Sequence, residues 1–141
     1  MFLLDTDHIG IIQRRTEPEF NRLSVHMSRH AIADFYWPII SFHEQVLGWN
    51  AYLNRARDQP SVVRAYRRFQ QILHDFSVAQ VLPFDDDAAV AFAAFRNQRI
   101  RVPTMDLRIA AIAFSRNMTV LTRNASDFGK VPGLRVENWT D

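Results

Sequence analysis

The order of short strand-like runs and longer helical patterns is what most restricts this chain. "FLLD" near the N-terminus is a continuous apolar run, the pattern of a parallel strand buried on both faces. "WPIIS" (37–41), "VAQVLPF" (78–84), "MTVLT" (118–122) and "LRVENW" (134–139) are further strand candidates. Amphipathic stretches lie between them. In "SVVRAYRRFQQILHDF", Val62, Tyr66, Phe69, Leu73 and Phe76 recur with helical spacing and predict one core-facing stripe. "HEQVLGWNAYLNRAR" reads as a helix closed by Gln59-Pro60, a weaker helix follows Pro18, and "DDDAAVAFAAFRNQ" and "DLRIAAIAFSRN" read as alanine-rich helices. Strand alternating with helix predicts an α/β fold with a mostly parallel central sheet of about five strands and helices on both faces, three layers in all.

The chain has 141 residues, 48% of them hydrophobic, which suits one globular domain over 1–141. No apolar run is long enough for a membrane span and no secretory signal opens the sequence, so a cytoplasmic protein without membrane contact is expected. With no cysteine, any metal must take oxygen or imidazole ligands. The net charge is only +2, but Lys130 is the single lysine, so arginine supplies nearly all the cations. Arginine binds phosphate bidentately, and this composition permits a nucleic-acid partner without requiring one.

Four acids stand at helix-opening junctions. Asp5 ends the first strand, Glu44 follows Ser41, Asp106 opens "DLRIAA", and Asp127 follows "VLT". Each alone reads as helix capping, since an acid in a first turn contributes roughly 0.3–1 kcal/mol. "SFHE" has the form of a capping box from Ser41 to Glu44, while Asn124 and Thr104 are candidate caps for the helices after them. In a parallel sheet, however, such junctions share the carboxyl edge of the strands. Several carboxylates crowded there repel one another unless a cation neutralises them. Oxygen-only donors suit Mg2+ or Mn2+, and such ions hydrolyse phosphodiesters.

In "FLLDTDHI", "ISFHEQVLGW" and "VPTMDLRIAAIAFSRNMTVLTRNASDFGKVPGLRVENW" the chain resembles the PIN-domain ribonucleases, in particular the VapC-type toxins of bacterial toxin–antitoxin pairs. The resemblance implies a metal-dependent endoribonuclease with Asp5, Glu44 and Asp106 as catalytic metal ligands. At the fourth position, where many relatives carry an acid, Asn124 stands here. Either Asp127 supplies that carboxylate or three acids and an amide form the site. Ser41, Thr6 and Thr122 fall where hydroxyls would support the acids, and Asp7, where relatives commonly carry asparagine, reads as a helix cap in preference to an added charge beside the metal. The resemblance also implies an RNA substrate, a homodimer and a small antitoxin that blocks the site. The alternative is a PIN-fold module that binds RNA or protein with little cleavage. A phosphotransferase of the haloacid dehalogenase class is excluded because Lys130 is followed only by Glu137 and Asp141, not by its paired acids.

Overall fold

The computed structural model describes residues 1–141. Its elements run β1 (Phe2–Leu4), α1 (Thr6–Arg14), α2 (Glu19–Met27), a 3-10 turn (Ile32–Asp34), β2 (Phe35–Pro38), α3 (Ile39–Arg55), α4 (Gln59–Val78) and β3 (Val81–Leu82), then α5 (Asp86–Asn97), α6 (Thr104–Ser115), β4 (Thr119–Leu121), α7 (Ala125–Phe128) and β5 (Arg135–Glu137). The sheet has five strands in the order β3-β2-β1-β4-β5, and every pairing is parallel. The expected mixture of mostly parallel strands is therefore wholly parallel.

β1 is central, paired with β2 on one side through Phe2 and Leu3 and with β4 on the other through Phe2, Leu3 and Leu4. Both of its faces are covered, as a continuous apolar run requires. Leu3 and Val120 join the core formed with α5, α6 and α7, whereas Leu4 and Leu121 join that formed with α1 and α2. Neighbouring strand residues thus feed opposite layers. α6 is the most deeply sunk helix, with Leu107 and Ile109 through Ala113 all buried. Its run of alanines lets α5 and the sheet approach closely.

Several boundaries depart from the sequence reading. Ile39, Ile40 and Ser41 belong to α3, not to a strand, and β2 lies slightly earlier, ending at Pro38. Pro38 keeps extended backbone before the helix, and the β-branched pair after it packs Ile40 into the core from a helical position. β3 is only Val81–Leu82, because α4 continues through Val78. Gln59 and Pro60 open α4, with the Asp58 carboxylate accepting from the Ser61 amide. Proline fits a first turn, where no helical partner awaits its missing N–H.

The inward stripe of α4 is also rotated: Ala65, Ile72 and Phe76 are buried, while Tyr66 and Leu73 are exposed. An apolar residue at helical spacing therefore lies on two sides of this helix, and the small Ala65 marks the side that packs. No helix is long and apolar enough to cross a membrane.

Candidate metal centre

Asp5 follows directly on β1, at the carboxyl edge of the central strand. Its amide donates to Leu121 of β4, so the backbone there is pinned by the sheet. The side chain caps α1: one carboxylate oxygen accepts from the Thr6 amide at 2.7 Å, the other from the Thr122 hydroxyl at 2.8 Å. Only 6% of the residue is exposed. A rigid backbone and two donors fix the direction of its free lone pairs.

Glu44 comes from α3. The Thr6 hydroxyl lies 2.8 Å from Ser41 Oγ and donates to Glu44 Oε1 at 2.9 Å. Ser41 sits inside the helix and makes no capping box with Glu44, since α3 begins after Pro38 without a side-chain cap. Thr6, rather than Ser41, orients the glutamate. Asp106 lies in the first turn of α6, whose N-cap is Pro103; Thr104 is the first helical residue and caps nothing.

Asp5, Glu44 and Asp106 each offer an oxygen within 4.8 Å of the others. The structure has two ion pairs, Arg116–Asp85 and Lys130–Asp127, and a close His8–Asp7 contact, and none involves these acids. Burial, then Asp7, and more weakly Asp106 push the Asp5 carboxyl up to about 7, against the bonds from Thr122 and Thr6. Burial and then Glu44, Asp127 and Asp7 raise Asp106 to about 6. Burial also raises Glu44, although the Thr6 bond opposes it. Negative charge is concentrated here without an ion pair, and only the nearby His43 ring opposes it at Glu44.

Asp127 is not part of the three-carboxylate set. Its oxygens accept from Asn124 Nδ2 at 3.0 Å and from Lys130 Nζ at 3.1 Å, and these bonds hold its pKa low. Asn124 precedes α7, but its side chain does not cap that helix. Asp7 does not cap α1 either, because Asp5 holds that place. Burial pushes the Asp7 carboxyl up, but bonds from the His8 ring and the Arg123 amide outweigh it and leave its pKa lowered. Asp7 is a strut from α1 to the loop after β4.

His8 was invisible as a functional residue in the sequence. It is fully buried, with Nδ1 2.7 Å from Asp7 and Nε2 accepting the Trp139 amide at 3.4 Å. An acceptor at Nε2 leaves the ring proton on Nδ1, directed at Asp7. The available signal was its place inside the apolar "HIGII" run, where an imidazole needs partners. Away from the acids, a cleft of about 850 Å³ lies between α1, α2, β2 and the end of α4, lined by Phe20, Met27, Ile32 and Trp37 among others.

No family model matches the chain. Over 98% of its length, and 97% of the relative's, it is 29% identical to the tRNA(fMet)-specific endonuclease VapC of Salmonella typhimurium. The solved FitAB complex bound to an IR36 DNA fragment matches with a TM-score of 0.71 and 28% identity, over 100% of this chain and 96% of that one. The DNA-bound VapBC of Salmonella typhimurium matches with a TM-score of 0.71 and 26% identity, covering 98% of this chain and 97% of that one. Over nearly its whole length the chain is thus similar to VapC-type proteins. Its all-parallel five-stranded sheet matches the PIN-like fold of those structures, and the three clustered acids stand at its carboxyl edge.

Proposed function

We propose that this chain, as one domain over 1–141, is a divalent-metal-dependent endoribonuclease that hydrolyses RNA phosphodiester bonds as the toxin of a toxin–antitoxin pair. The observation that carries the reading is the set of Asp5, Glu44 and Asp106 oxygens within 4.8 Å of one another, with none of the three in an ion pair. Its likeness to a VapC endonuclease over nearly the whole chain supports the same conclusion.

The donor set fits a hard divalent ion, Mg2+ or Mn2+. All three donors are carboxylates, and their raised pKa values reflect burial first and repulsion between neighbouring carboxylates second, both of which a cation would offset. When bound, such an ion polarises a phosphoryl oxygen and activates water for in-line attack. The protein's part is positioning. Thr6 and Thr122 direct Asp5, Thr6 directs Glu44, and the first turn of α6 presents Asp106. Asp127, held by Asn124 and Lys130, would add negative charge to the site from outside this set. The partner reading, a small antitoxin and a second copy of the chain, is supported by the likeness to VapBC and FitAB complexes. The cleft beside α2 supplies apolar surface for a protein partner.

Purified Asp5→Asn and Asp106→Asn should keep wild-type circular dichroism and lose Mg2+- or Mn2+-dependent RNA cleavage. Full activity of Asp106→Asn overturns the reading. Asp127→Ala should weaken metal activation less than either, and a loss confined to Asn124→Ala would remove Asp127 from the site.

A further inference from the structure

α1 and α3 are joined by side-chain hydrogen bonds at two places. One is Thr6 with Ser41 and Glu44; the other is a closed ring of two amide bonds, Gln13 Nε2 to Gln45 Oε1 at 3.0 Å and Gln45 Nε2 to Gln13 Oε1 at 2.7 Å. The ring is half-buried. Gln13 also donates to Asp75 Oδ2 on α4 at 3.0 Å, and Gln71 donates to the other oxygen of Asp75 at 2.8 Å. A carboxylate only accepts, so Asp75 fixes which edge of the Gln13 amide is NH2 and thereby the orientation of the whole ring. Three helices meet in a network whose side-chain groups are mutually satisfied.

The ring's place matters for the acid next to it. Ser41 and Gln45 are one turn apart on the stripe of α3 that faces α1, and Glu44 is the residue before Gln45. α3 enters without a side-chain cap, and these two rungs are the side-chain hydrogen bonds that tie it to α1. Glu44 is repelled by the neighbouring carboxylates, and a single Thr6 bond would leave it hinged on one contact. We infer that Gln13 and Gln45, oriented by Asp75, are positioning residues that hold α3 in register so that Glu44 reaches the ion shared with Asp5 and Asp106. This rests on the metal-site reading given above.

The test is direct Mn2+ binding, by calorimetry or by the electron paramagnetic resonance of free Mn2+, on the purified full chain. Gln45→Met keeps side-chain length and removes the ring; it should bind Mn2+ about tenfold more weakly than wild type, the lower end of what removing a partner that orients a ligand costs. Gln13→Met, on the opposite helix, should reproduce the loss, and Gln45→Glu, which keeps one acceptor, should fall between. In a Glu44→Gln background, Gln45→Met should add nothing further, since its effect passes through Glu44. A purely stabilising ring would lower the melting temperature equally in both backgrounds while leaving Mn2+ affinity of the folded protein unchanged, and that result overturns the inference. Additive losses in the two backgrounds overturn it as well. A wild-type chain that binds no Mn2+ overturns the metal reading and the inference together, whereas wild-type binding with unaltered Gln45→Met and Gln13→Met overturns the inference alone.

Discussion

The Thr122 hydroxyl donates to Asp5 Oδ2 at 2.8 Å, joining the end of β4 to the end of β1 in a fully buried contact. The same hydroxyl oxygen accepts the Asn124 amide at 2.9 Å. Thr122 therefore passes order from the loop after β4 to the acid at the sheet's centre. Thr122→Val keeps the shape and removes these two bonds and a longer one to Asp7 Oδ2 at 3.4 Å; it should cost about 1–3 kcal/mol, measured by urea denaturation. It should also move the pH midpoint for Mn2+ binding upward, because a donor that favours the charged Asp5 is gone. An unchanged midpoint would mean that the bond does not act on Asp5.

Metal binding should titrate near neutrality. With Asp5 raised to about 7 and Asp106 to about 6, protons compete with the ion well above the ordinary carboxylate range. Affinity should climb steeply from about pH 5 to about pH 8 and then level off. Calorimetric titration across that window would show it, and a plateau already reached at about pH 5 would contradict it.

Metal-free stability should run the opposite way. A carboxyl with its folded pKa above its unfolded one binds more protons when folded, so stability is greatest below the unfolded value and declines as pH rises toward the folded one. For Asp5 that decline spans from the usual carboxylate range near 3.8 to about 7. Saturating Mn2+ should reverse the slope. Chemical denaturation at about pH 5 and about pH 7.5, with and without the ion, decides this.

Asp106→Asn should raise the melting temperature of the metal-free protein while abolishing ion binding. The amide removes a charge that Glu44, Asp127 and Asp7 all repel. A gain of up to about 1 kcal/mol is expected for such a partly exposed group. A destabilised variant would show that Asp106 has a structural bond its carboxylate alone can make.

His8→Phe should loosen the C-terminal segment. The substitution strands the Trp139 amide and one acceptor of Asp7 in a dry site, at a cost of about 1–3 kcal/mol. Hydrogen exchange at the Trp139 amide should accelerate relative to neighbouring core amides. Wild-type protection there would remove His8 as the anchor.

The centre of the fold was legible because burial writes itself into composition. Phe2, Leu3 and Leu4 form a run that only a doubly covered strand explains, and the acid ending it is then placed at the carboxyl edge. The convergence of Asp5 and Glu44 followed from topology, since helices after parallel strands begin on one side, whereas Asp106 opens a helix that follows α5 and leads into β4. What the letters hid was local and geometric. Ile39 and Ile40 favour strands by propensity but are helical because the chain turns at Pro38 and packs Ile40 from above the sheet. Tyr66 and Leu73 fit a helical stripe as well as Ala65 and Ile72 do, and only the neighbouring elements decide which stripe is covered. Asp5 and Asp7 both suit a helix entrance; one caps and the other reaches across to Arg123, a distinction set by where β4 ends. Gln13, Gln45 and Asp75 meet across three helices, and no spacing within one helix announces that.

The central position of β1 also governs when the acid cluster can exist. Asp5 comes well before its partners in chain order: its strand needs β2 on one flank and β4 on the other, and the hydroxyl that steadies it belongs to Thr122. A nascent chain that has released Asp5 and Glu44 still lacks Asp106 and the strand that seals the sheet. The acid cluster is thus withheld until β4 has been made, so a chain interrupted before β4 carries all three acids and no assembled centre.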